Sequence, residues 1–310
     1  MEPKCNLIID SCCDLPAEIV KREGVYLLKF PYINETGEYL DDLYQSITAQ
    51  EFYDGMRSGE EPHTAQIPFP EIRAAFDWVH EQKKPTVYLG FSSGLSGTFD
   101  AIELLLAQEK QEHPDFDLQI VDTKLASVAE ALLVYEALRQ RDKGLTADEM
   151  LAWAEEARYF VDEQFMVDDL EALRRGGRIP SSVAYAGSKL DVKPLLGIDS
   201  DGKLTLTGMA RGRKKGIKAL VDYYRKRKAS DAPGQTVVIG DADCPKDAKR
   251  LAELLQKEDD SLLCIESSIG PVIGSHVGPG MLAVVFWGQD SRNDMSMADR
   301  IASKVRSKSE

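Results

Sequence analysis

Long hydrophobic runs are missing from this chain of 310 residues. The longest apolar stretch is about Met281–Trp287, far short of the roughly 20 residues that a membrane helix needs. No signal peptide is read at the start, where MEPKCNLIIDSCCD runs straight into a strand-like segment. Cysteine is scarce and odd in number: five, at positions 5, 12, 13, 244 and 264, in neither a disulfide framework nor a zinc pattern. Reduced thiols and a cytoplasmic location are therefore expected. There are four histidines and no H-E-x-x-H, P-loop or Rossmann G-x-G-x-x-G, so neither a metal nor a nucleotide cofactor is expected. Positive charge is also short. Against 52 acidic residues stand 38 Lys and Arg, and the net charge of −14 repels phosphate backbones, which argues against nucleic acid.

What is present suits a globular protein. Hydrophobic residues make up 43%, enough for the core of one large domain or two of ordinary size. In the first half, strand signals alternate with helix signals. NLIID (6–10), PTVYLGF (85–91) and DLQIVDT (117–123) read as strands. Asp14 reads as an N-cap with Pro16 in the first turn, and Pro70–Gln82 and Asp100–Lys110 as helices. Thr48–Glu51, Ser127–Glu130 and Thr146–Glu149 read as capping boxes that open three more. Such alternation predicts βαβ units around a parallel sheet. The ligand crevice of such a sheet lies outside the C-terminal strand ends, which places Asp10–Ser11, Ser92–Ser96 and Asp122–Thr123 along one edge.

The second half has a different pattern. FMVDDLEALRRGGRI holds a short helix and a Gly-Gly turn, and a helix-like stretch follows at Val183–Leu190. Ser200-Asp201-Gly202 between two alternating runs predicts a hairpin. A basic helix, a strand at QTVVIGDA, a helix at Pro245–Lys257 and two more strands complete an α+β half with a largely antiparallel sheet. The reading is an N-terminal α/β domain over residues 1–155 and a C-terminal α+β domain over 156–310, without a low-complexity linker or internal repeat.

Few residues offer chemistry. The loop Gly90-Phe-Ser-Ser-Gly-Leu-Ser-Gly-Thr98 lies between a strand and a helix, where backbone N–H groups and the hydroxyls of Ser92, Ser93 and Ser96 can cradle an anion. The plainer reading is a small-residue connection with a helix cap. The same loop contains G-x-S-x-G, the outline of a nucleophile elbow, and the alternative function is a serine hydrolase with Ser92 as nucleophile, His276 as base and Asp241 or Asp243 as orienter. His276 sits in a Gly-rich loop, IGPVIGSHVGPG, whose thin surroundings suit a side chain that reaches a ligand. Arg178 ends the run Arg174-Arg-Gly-Gly-Arg, and Arg211 and Arg213 open a basic segment with Lys214, Lys215 and Lys218. These arginines read as contacts for a phosphate group or an acidic partner, or as an ordinary helix end and a solvated face.

Taken in order, these segments resemble the DegV family. IIDSCCDLP resembles its opening D-S-x-x-D-L-P; Thr64-Ala-Gln-Ile-Pro resembles its T-S-Q-P-S loop; SSGLSGT matches S-S-x-L-S-G-T; VDTKLAS resembles V-D-S-x-x-x-S. FMVDDLEALRRGGRI, KLDVKPLLGID and IGPVIGSHVGPG match the second-half signatures. The resemblance runs from about residue 6 to residue 288. It implies a DegV-like two-domain architecture with a long-chain fatty acid between the domains. The carboxylate would be held by Thr64, by Ser92 or Ser93 and by His276, without a catalytic residue of the chain's own. The resemblance also implies a separate fatty acid kinase subunit as partner, which supplies ATP and forms an acyl phosphate, with Arg178 and the segment around Arg211 facing the reacting group or that partner. Cys12, Cys13, Ala65 and Phe69 depart from the family pattern.

Overall fold

The structure is a computed structural model that describes residues 2–179, 191–229 and 235–294. In chain order the N-terminal part contains β1 (Asn6–Asp10), α1 (Ala17–Val20), β2 (Val25–Leu28), β3 (Pro31–Asn34), β4 (Gly37–Leu40), α2 (Ala49–Arg57), β5 (His63–Thr64), α3 (Phe69–Gln82), β6 (Thr86–Gly90), α4 (Thr98–Glu112), β7 (Leu118–Asp122), α5 (Ser127–Asp142) and α6 (Ala147–Ala157). The C-terminal part contains β8 (Val161–Met166), α7 (Glu171–Arg175), β9 (Val192–Ile198), β10 (Leu204–Arg211), α8 (Arg213–Arg227), β11 (Thr236–Asp241), α9 (Pro245–Glu258), β12 (Leu263–Ser268), α10 (Pro271–Val277) and β13 (Leu282–Trp287).

The alternating first half forms a four-stranded parallel sheet in the order β2-β1-β6-β7. Every residue of β1 and β6 is buried, as expected for strands covered on both faces. The second half forms a six-stranded sheet in the order β10-β9-β8-β13-β11-β12, antiparallel except for the β11–β12 pair. Asp201 and Gly202 lie in the turn of the β9–β10 hairpin, and Gly202 takes the positive φ of +76° for which the turn selects glycine. A small sheet, β4-β3-β5, was not read from the sequence. The Val183–Leu190 stretch lies outside the described residues.

One apolar core runs from the parallel sheet through α5 to the inner face of the six-stranded sheet, where Val161, Phe165, Ala283 and Val285 face it. A second core, with Met166, Val284, Phe286, Leu220 and Leu255, fills the outer face beneath α8 and α9. Period-two alternation along β8 and β13 separates the two.

Two capping boxes form as read, at Thr48 and at Thr146. The third does not. Ala126 is the N-cap of α5, Ser127 is already in the helix, and Glu130 is completely buried. Asp14 is no N-cap either: it sits at φ +50° behind a short 3-10 turn. Its carboxylate instead accepts hydrogen bonds from the Ser127 hydroxyl (2.5 Å) and from Gly270 N–H (2.9 Å), so it joins α5 to the entry of α10. The segment carrying His276 is a helix, α10, rather than a loop.

Candidate functional site

The C-terminal ends of β1, β6 and β7 bring together the three segments that the parallel-sheet rule places on one edge. Asp10 ends β1 and accepts from Phe91 N–H (2.8 Å), the Tyr88 hydroxyl (2.9 Å) and Cys12 N–H (3.0 Å). Asp122 ends β7, accepts from Ser93 N–H (3.2 Å) and pairs with Lys124 (2.6 Å). Carboxylates at two strand ends thus fix the loop that follows β6. The hairpin tip of the C-terminal part closes on the same loop so tightly that a Cβ on Gly94 would overlap the carbonyls of Asp201 and Gly202.

Beside this loop is a cavity of about 540 Å³. Its wall is mostly apolar, with Phe30, Phe91, Val128, Phe165, Leu204 and Val277 among the lining residues. Thr64, Ser93, Ser96, Arg178 and His276 also line it, together with Gln66 and Glu163.

Thr64 and His276 meet directly, Oγ1 to Nε2 at 2.8 Å, although 212 residues separate them. Pairing of Thr64 with Tyr32 places the threonine, and α10 carries the histidine against β5 and α7. His276 Nδ1 is buried without a hydrogen-bond partner among the described residues. A Cβ on Gly176 would overlap that nitrogen, so the Gly-Gly turn leaves room for the ring. Burial, and then the charges of Arg178 and Arg175, lower the His276 pKa to about 4, which makes the imidazole neutral at pH 7. Arg178 donates to the carbonyls of Leu95 (3.3 Å) and Gly176 (2.6 Å). Among the described residues no carboxylate pairs with it, and burial pushes its pKa down. This part of the wall is rich in donors.

The three loop serines separate. Ser96 lines the cavity, and its hydroxyl lies 3.1 Å from that of Thr98. Ser93 lines it too, but its hydroxyl accepts from Lys124 Nζ (2.6 Å). Ser92 does not line it: completely buried, its hydroxyl donates to the Gly202 carbonyl (2.8 Å) and accepts from Gly94 N–H (3.1 Å). The serine hydrolase alternative fails on this geometry. Ser92 is a tie between the loop and the hairpin, His276 is bonded to Thr64, Asp241 accepts from Cys244 N–H, and Asp243 pairs with Arg57.

The two remaining arginines lie elsewhere. Arg213 is a cross-link, pairing with Asp247 (2.7 Å) and Asp168 (3.3 Å) and donating to the Gly280 carbonyl (2.5 Å). That network engages its guanidinium inside the protein rather than offering it to a partner. Arg211 is exposed at the end of β10.

Sequence reasoning did not show that four acids are buried. Asp10, Asp14, Asp41 and Glu130 are all inaccessible, and burial raises the pKa of each, to about 7 for Asp10 and Asp41 and well above the usual carboxylate range for Asp14 and Glu130. It also missed Glu163, which the alternation Val161, Glu163, Phe165 puts on the core face of β8. Outside the cavity, ligand atoms of His80, Glu109 and His113 come within 4.8 Å of one another. There Glu109 is already paired with Arg73 and with His80, which accounts for its charge.

The family model described as "Uncharacterised protein, DegV family" matches residues 4–289. A DegV domain-containing protein of Clostridium perfringens is 36% identical over 285 residues, which covers 92% of this chain and 98% of the relative. The structure superposes on a fatty-acid-binding DegV family protein from Thermus thermophilus with a TM-score of 0.80 at 26% identity, covering 92% of this chain and 100% of the other. It superposes on a fatty-acid-binding DegV family protein from Streptococcus agalactiae with a TM-score of 0.78 at 27% identity, covering 93% and 99%. With the family model spanning nearly the whole sequence and both sheets matched, this chain belongs to the DegV family.

Proposed function

We propose that the cavity holds a long-chain fatty acid, with its carboxylate at Thr64, Ser96, Arg178 and His276 and its hydrocarbon tail along the apolar wall. One observation carries this reading. The Arg178 guanidinium stands in the wall of an apolar cavity, beside the Thr64–His276 pair, bonded only to neutral carbonyls among the described residues. A partly desolvated cation of this kind favours an anion. An anion with an apolar body fits both parts of the wall, and the volume lies within the roughly 300–1,000 Å³ usual for small-molecule sites. Neutral His276 has one ring nitrogen on Thr64 and can donate or accept as the ligand requires. The relatives from Thermus thermophilus and Streptococcus agalactiae, which bind fatty acids, add support. Ser93 can join Thr64, Ser96, Arg178 and His276, since accepting from Lys124 leaves its hydroxyl hydrogen free to donate.

The finer reading is a non-catalytic carrier subunit, with domains near 1–155 and 156–310, that presents the bound acid in the cytoplasm to a separate kinase subunit for acyl phosphate formation. Two features support it. Arg175 and Gly177 next to Arg178 are exposed, so the head group lies close beneath the surface. Arg211, Lys214, Lys215 and Lys218 are exposed basic residues on an otherwise acidic protein, suited to an acidic partner face. Among the described residues no helix is long and apolar enough to cross a membrane.

Gentle purification, solvent extraction and mass spectrometry test the carrier reading, followed by titration of the delipidated protein with oleate and palmitate. A stoichiometric fatty acid, or uptake of an added one, is expected. A protein that carries none and takes up neither would sink the reading.

A further inference from the structure

Glu163 is in the middle of β8, on the face that looks into the cavity, with Phe165 on the same strand and Ile198 and Leu204 from the adjoining hairpin. Its neighbours in sequence point the other way and are satisfied there: Asp162 with Tyr223 and Arg227 of α8, Gln164 with Thr207. No such network reaches Glu163. Its Oε1 is buried without a hydrogen-bond partner among the described residues. The Ile198 backbone N–H donates to the carboxyl, and the like charge of Asp162 lies behind it. Arg178 follows α7 and His276 is on α10, and among the described residues neither is hydrogen-bonded or ion-paired to Glu163, which is on β8. Burial pushes its pKa up to about 8, which leaves a neutral acid in an apolar wall at physiological pH.

A bare hydrocarbon tail offers this group nothing, and its presence would desolvate the carboxyl further. A carboxylic acid can both donate and accept, which is the complement of a hydroxyl. We propose that Glu163 recognises a hydroxyl group on the acyl chain, so that the preferred ligand class is hydroxylated long-chain fatty acids. The acid proton of Glu163 is donated to the hydroxyl oxygen, and the partnerless oxygen accepts the hydroxyl hydrogen. This rests on the fatty acid reading of the same cavity and adds a second polar contact to it. Discrimination of this type is strong, because a site built to bond a hydroxyl leaves its own polar group unpaired against the analogue that lacks it.

The test uses the full-length, delipidated protein titrated with stearic acid and with 9-, 10- and 12-hydroxystearic acids. At least one hydroxystearate is expected to bind tenfold or more tightly than stearate. Glu163→Leu is expected to erase that preference, weakening the hydroxylated ligand and strengthening stearate, and Glu163→Gln to keep part of it. Stearate binding as tightly as every hydroxystearate overturns the inference and leaves the carrier reading standing, as does a preference that survives Glu163→Leu. Failure of all four acids to bind removes the carrier reading and this inference with it. The wild-type comparison needs no variant, so misfolding of Glu163→Leu does not block the result.

Discussion

Two parts of one cavity wall each hold a titratable group that burial has driven to its neutral form, yet they are built to opposite ends. Around His276 the wall collects Thr64, Ser96 and the Arg178 guanidinium, with no carboxylate bonded to them among the described residues. Around Glu163 it collects Phe165, Ile198 and Leu204, with a like charge behind. Burial lowers the first group to about 4 and raises the second to about 8. The lesson is that desolvation alone does not define a site. The partners left unmatched among the described residues do: a cation without a carboxylate in one place, a neutral acid with one oxygen unpartnered in the other.

The largest expected effect separates the two by pH. A carboxyl with a raised folded-state pKa contributes stability below its unfolded value near 4 that is lost as pH rises toward 8. Glu163→Gln should therefore flatten the fall in stability between pH 4.5 and 8, by about 2–4 kcal/mol at the alkaline end given about 1.4 kcal/mol per pKa unit. For His276 the sign is reversed: its neutral form is lost from the unfolded chain below about 6.5, so His276→Asn should recover stability between pH 6.5 and 4. Denaturant melts across that range check both, and equal pH profiles for wild type and Glu163→Gln would break the comparison.

Next in size, Arg178→Ala should weaken oleate binding by about 1.5–3 kcal/mol, the range for hydrogen bonds to charged groups. Thermal stability should fall little or rise, because a desolvated cation is removed. Isothermal titration and melting decide this; an unchanged Kd would place the head group elsewhere. His276→Ala and Thr64→Val should each cost about 1–2 kcal/mol of binding, and because the two share a bond, the double variant should cost less than the sum. Additive losses would show that the ligand does not engage them as a unit.

The smallest effect contrasts two serines of one loop. Ser92→Ala should lower stability by about 1 kcal/mol through the lost Gly202 contact and leave oleate affinity unchanged. Ser96→Ala should do the reverse, with a loss of about 1 kcal/mol in binding. Equal effects on binding would return Ser92 to the site.

Much of this was legible in the chain. Apolar runs at 6–10, 85–91 and 117–123 gave the parallel sheet, and the strand-end rule set Asp10, the Ser92–Ser96 loop and Asp122 on one edge, where the hydrogen bonds of Phe91 and Ser93 now hold them. The capping boxes at Thr48 and Thr146 were legible because they are local and exposed, so nothing competes with them. Ser127 and Glu130 have the same pattern, but tertiary packing took Ser127 for Asp14 and buried Glu130. The Gly-rich segment around His276 read as a loop because its glycines serve close approach: a Cβ on Gly274 would overlap the Tyr53 hydroxyl.

By itself, then, the sequence determined the fold class, the family motifs and the candidate loop, because strand period and local turn chemistry act over a few residues. Only the tertiary structure decided which serines face the cavity, that Arg178 is part of its wall, and that one oxygen of Glu163 stands there without a hydrogen-bond partner among the described residues. Those outcomes depend on contacts between segments up to 212 residues apart, such as Thr64 with His276, and on burial. Neither leaves a local signature, since the same residue in the same short pattern can be satisfied by solvent, by a hairpin carbonyl or by a ligand.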